Sequence, residues 1–108
     1  MAAGEVAIEF DSGRGGDIRG RLVAGVLQLD GSNPSPINLG AYFRAVKGVV
    51  VSWRTSTAQA VDPTTVTGVV SGTTVNVYAW KVTSNANPTL IASTDNANLV
   101  SFVAWGDV

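Results

Sequence analysis

Residues 64–82 read TTVTGVVSGTTVNVYAWKV, and this stretch decides the fold class. Branched or aromatic side chains alternate with polar ones over much of Thr64 to Val70 and of Thr73 to Val82, a period of two that a pleated strand converts into a dry face and a wet one. Between the arms stands Ser71-Gly72, and glycine supplies the positive φ that a tight connection needs, so the segment predicts a β-hairpin. In the second arm Val75, Val77 and Ala79 fall on one side, and Asn76, Tyr78, Trp80 and Val82 on the other. The side away from Val75 therefore carries two large aromatics.

The rest of the 108-residue chain extends the same pattern. Seventeen Val, ten Thr and four Ile stand against two Glu, two Lys and six Leu, so strand formers outnumber helix formers. No segment sustains a 3.6-residue apolar period. Val6, Ile8 and Phe10 alternate with Glu5 and Glu9, as in a strand with one wet face. Ser12 to Gly16 reads as a flexible connector. The run from Ile18 to Leu29 begins with Arg19 and Arg21 on one face and turns apolar on both faces from Leu22 to Leu27, which predicts a bulge or bend near Gly20 or Gly25. Two prolines stiffen the loop Asp30 to Pro36; Ile37 to Arg44 is either a short helical turn or an edge segment. In Val46 to Arg54, Val49, Val51 and Trp53 share a face. Leu99 to Trp105 is a last strand, apolar throughout, whose Phe102 and Trp105 read with Trp53 as core. The expectation is an all-β, two-sheet β-sandwich of jelly-roll or immunoglobulin-like connectivity, with seven or eight short antiparallel strands. It forms one domain over 1–108 with a flexible N-terminal region.

Composition excludes several function classes. Seven basic and eight acidic residues leave a net charge of -1, too little positive field to gather phosphate backbones, so no nucleic acid is expected. No apolar stretch approaches the ~20 residues of a membrane span, and Met1 to Phe10 has no secretion-signal pattern, so neither a membrane partner nor export is expected. Without His or Cys the commonest general base, the thiol nucleophile and the best transition-metal ligands are missing, and we expect no enzyme, no cofactor and no metal. Glu5 and Glu9 could mimic a glycosidase pair, but nothing apolar stands near them to raise one pKa, and they read as a solvated strand face. Asp30 to Asn33 and Asp95 to Asn98 are oxygen-rich, yet each supplies one carboxylate where calcium takes six to eight oxygens; Asx turns account for both. Arg14-Gly15-Gly16-Asp17 carries one glycine too many for an Arg-Gly-Asp loop.

Charge is also unevenly spread. Residues 1–54 hold eleven charged side chains; residues 55–108 hold only Asp62, Lys81, Asp95 and Asp107, with twenty Ser, Thr and Asn in their place. A surface so poor in charge is expected to be partly covered in an assembly. Tyr78 and Trp80 are the candidate interface pair, because Trp and Tyr dominate such sites; a second sheet covering both faces is the alternative.

Leu29-Asp30-Gly31-Ser32-Asn33-Pro34, Val75 to Lys81, Thr89 to Thr94 and Val103-Ala104-Trp105-Gly106 together resemble small proteins encoded among the structural genes of tailed bacteriophages. That resemblance implies a capsid decoration, or cement, protein: a β module, often trimeric, that binds the outside of the expanded head and braces its capsomers. The implied partners are the major capsid protein and further copies of the chain, and the implied location is the virion, after synthesis in soluble form in the host cytoplasm. In this reading Arg14, Arg19 and Arg21 reach acidic capsid surface, while Tyr78 and Trp80 contact a sibling subunit. The alternative is a tail or fibre accessory domain that touches a glycan or receptor.

Overall fold

The computed structural model describes residues 1–13, 20–55, 64–84 and 86–108, and among them the chain forms eight strands and no helix. The strands are β1 (Val6–Asp11), β2 (Gly20–Gln28), β3 (Ser35–Asn38), β4 (Ala45–Trp53), β5 (Thr65–Ser71), β6 (Thr74–Lys81), β7 (Ile91–Ala92) and β8 (Leu99–Asp107). All pairings are antiparallel. They build two sheets, one of order β1-β2-β8-β4 and one of order β3-β6-β5, with β7 added to β6: a β-sandwich. The place that β8 holds between β2 and β4 is taken by the fifth strand in an immunoglobulin constant domain.

The hairpin read from residues 64–82 is β5-β6, in unbroken register from Thr65↔Trp80 to Ser71↔Thr74. Ser71 is the last residue of β5, so the turn is Gly72-Thr73. Gly72 has φ 63° and Thr73 does not, the arrangement in which a type II′ connection reserves its first position for glycine. On its other flank β6 meets β3 along Thr74 to Val77 and β7 along Trp80 and Lys81. Between those short strands the Asn33 side-chain oxygen accepts from the Ala79 N–H (2.9 Å), and the Ser93 N–H donates to the Ala79 carbonyl (2.9 Å). Residues 37–44 combine both alternatives: β3 is an edge strand, and the Tyr42 and Phe43 N–H groups then close a turn on the Leu39 carbonyl.

Alternation places Val23 and Leu27 of β2 and Val100, Phe102 and Ala104 of β8 against Ile37, Val75, Val77 and Ala79 of the other sheet, all buried. The layers come closest where β5 lies under β4. A Cβ on Gly68 would stand 3.1 Å from Val49 and 3.2 Å from Val51, and the Val46 N–H donates to the Gly72 carbonyl (3.1 Å).

Three expectations change in the structure. The bulge is not in β2, which pairs with β8 in continuous register; it lies opposite, in β1 between Ile8 and Phe10. Gly25 instead admits a close approach, since a Cβ there would come within 2.3 Å of the Ala7 carbonyl oxygen. The extra residue, Glu9, shifts the phase of β1, so Phe10 leaves the face of Val6 and Ile8 and is exposed. Trp105 is not core: in β8 it stands on the side opposite Phe102 and is 42% exposed. Phe102 is buried as expected and Trp53 is half-buried.

Candidate functional site

With both inner faces spent on the core, the sheets offer their two outer faces for recognition. On the β1-β2-β8-β4 sheet, partner registers define cross-strand rows. Phe10, Ala24, Val103 and Val50 form one row across all four strands, and Leu22, Trp105 and Gly48 form the next. Phe10 is 55%, Val50 58%, Leu22 38% and Val103 36% exposed, so the band is apolar and open to solvent. A Cβ on Gly48 would lie 2.3 Å from Trp105 Cζ2, so the indole lies across the glycine and the face is level there. The third row, Ala7, Val26, Ser101 and Ser52, is small or polar, with Val26 buried although it stands outside the core cluster.

Charge lies beside this band and is closed within the chain. Each edge strand carries a bulge, at Glu9 in β1 and at Lys47 in β4, where the register shifts between Val46 and Gly48. Glu9 pairs with Arg54, just past the end of β4, so that ion pair joins opposite edges of the sheet; Lys47 stands 3.6 Å from Asp107. Bulged, charged edges discourage the addition of a foreign strand.

The outer face of the β3-β6-β5 sheet has a different chemistry. Its rows are Thr65 with Trp80, Thr67 with Tyr78, Pro36, Asn76 and Val69, and Asn38, Thr74 and Ser71. Most of these are hydroxyls and amides, with Val69 50% exposed among them, and none is an ionisable acid or base beyond the phenol. Tyr78 and Trp80 stack on each other, centroids 5.9 Å apart and planes 12° apart, and the indole N–H donates to the Thr67 hydroxyl (3.0 Å). Both aromatics are half-buried on the non-core side, where the sequence placed them.

Of the three arginines singled out, Arg14 and Arg19 lie outside the described residues. Arg21 is engaged inside the molecule. Its guanidinium is 2.5 Å from the Asp11 carboxylate, donates to the Tyr42 carbonyl (3.2 Å) and lies 5.3 Å from the Tyr42 ring centroid. The hydrogen bond from Arg21, with a second from the Gly13 N–H, lowers the Asp11 carboxyl to about 2.

The two oxygen-rich loops are Asx turns. Asp30 receives the Ser32 N–H and the Ser32 and Ser35 hydroxyls; Asp95 receives the Ala97 and Asn98 N–H groups. Burial pushes both carboxyls up, but these donors outweigh it and leave both below the usual carboxylate range. Their oxygens thus face hydrogen-bond donors. Among the described residues no three acidic groups converge as metal ligands would. An open depression of about 280 Å³ beside Gly40 to Arg44 and Val108 has Arg44 as its one charged side chain.

The apolar band is what the sequence reading missed. Its signals are the double-sided apolar runs, of which Leu22 to Leu27 reads as a bulge or bend and Leu99 to Trp105 as a strand with Phe102 and Trp105 in the core. No family model, no curated protein and no solved structure matches the chain.

Proposed function

We propose that this chain is a non-catalytic structural protein of a phage virion, a decoration module that docks on the outer surface of the expanded capsid and stabilises it. The observation that carries this reading is the outer face of the β1-β2-β8-β4 sheet: an exposed apolar band beside charges that are neutralised within the chain, suited to contact. Many symmetry-related copies on a shell make modest patches sufficient, because each added contact multiplies avidity. The partners are then the major capsid protein and other copies of the chain.

The test is co-sedimentation of purified protein with expanded and with immature phage shells, followed by reconstruction of the decorated particle. Binding to expanded shells at symmetry-related sites is expected; equal indifference to both contradicts the proposal. The tail or fibre reading draws on one observation, the aromatic pair on a hydroxyl-rich face. Sugars stack on open ring faces, however, and here each ring spends one face on the other. A glycan array reads that alternative directly.

A further inference from the structure

We propose that the outer face of the β1-β2-β8-β4 sheet is where a second copy of this chain docks, sheet against sheet. The inference names one partner of the assembly proposed above and rests on its assembly half, while moving the sibling contact away from Tyr78 and Trp80.

The relief of the face is the first argument. Trp105 lies across Gly48 and fills the relief there, while Ala24 leaves a shallow notch between Phe10 and Val103 that a side chain of a facing sheet can enter. A right-twisted sheet packs best on another of the same twist, about 10 Å away and turned by about 30°, and an identical copy supplies such a sheet with rows of the same length. Charge is the second argument. Glu9 with Arg54 and Lys47 with Asp107 are already paired, so a partner of opposite charge gains no counter-ion at this face, and the contact has to come from the apolar band. The edges are the third: the bulges at Glu9 and Lys47 disfavour strand addition and leave face packing as the open mode. Area is the fourth. Phe10, Leu22, Val50, Val103 and Trp105 expose roughly 400 Å² of side chain, the scale of the largest patch on an ordinary monomer. Two copies with flanking Ala24, Ser52 and Ser101 reach about 1,000 Å², at the weak end of specific interfaces. The association is therefore weak in solution, half-complete at roughly micromolar to tens of micromolar, and strengthened where copies are held side by side.

Sedimentation velocity of the full chain across that range reads the association. The wild type gains mass with concentration, while Val50→Lys and, at the opposite edge of the face, Phe10→Ser each weaken association at least tenfold with unchanged circular dichroism. Tyr78→Ala with Trp80→Ala leaves the mass unchanged. A wild type monomeric to about 1 mM, or assembly that survives both face variants, or assembly dissolved by the aromatic pair alone, overturns the proposal. Shell binding is scored separately. A chain that pairs but ignores shells retains this inference and loses the capsid reading; one that binds shells as a monomer does the reverse.

Discussion

The two outer faces of the sandwich share a core and differ in what they offer water. One presents Phe10, Leu22, Val50, Val103 and Trp105 in adjoining rows; the other presents threonines, asparagines and a stacked Tyr78-Trp80 pair whose indole N–H is satisfied by Thr67. The contrast does not follow the charge division along the chain. Residues 1–54 carry most of the charge, yet three of their strands, β1, β2 and β4, build the apolar face. Among the described residues their strand charges are closed into pairs: Glu9 with Arg54, Asp11 with Arg21 and Lys47 with Asp107. Charge counted by sequence half misjudges which surface is open to a partner, because the pleat and the bulges reassign it.

The contrast breaks most completely if the layer between the faces is emptied. Phe102 is buried between the sheets, and Phe102→Ala should cost about 3–5 kcal/mol, read as a lower midpoint in chemical denaturation, with both outer faces lost together. Acid should act more gradually. The folded Asp11 carboxyl is held at about 2 against an ordinary 3.8, and Asp30 and Asp95 are also lowered, so their contribution is complete above the unfolded value. Stability should therefore decline as pH falls through about 4 toward 2, and Asp11→Asn should flatten part of that slope in thermal melts. Thr67→Val should have the smallest effect, below about 1 kcal/mol, because it removes one exposed hydrogen bond. Its readout is altered Trp80 fluorescence with self-association untouched, which sharpens the separation of the two faces.

Local period was enough for the hairpin. Val75, Val77 and Ala79 point inward as their alternation requires, and Tyr78 and Trp80 point out. Non-local facts were not in the period. Nothing in Leu99 to Trp105 states that this strand lies between β2 and β4, and an apolar run reads equally as a strand buried on both sides or as one with a dry outer face. On its apolar neighbours alone Trp105 reads as core, although Gly48, its cross-strand partner 57 positions away, is what lets the ring lie flat outside. Phe10 was misplaced by one inserted residue, since a bulge at Glu9 reverses every later assignment in its strand. Of the candidate site, the aromatic pair was legible and the apolar band was not.

Hydroxyl-radical footprinting across concentration compares the two faces in one experiment. The account predicts that Phe10, Val50 and Trp105 become protected as concentration rises while Tyr78 and Trp80 keep their reactivity. Protection of Tyr78 and Trp80 with Trp105 left open, or no change at either face, would contradict it.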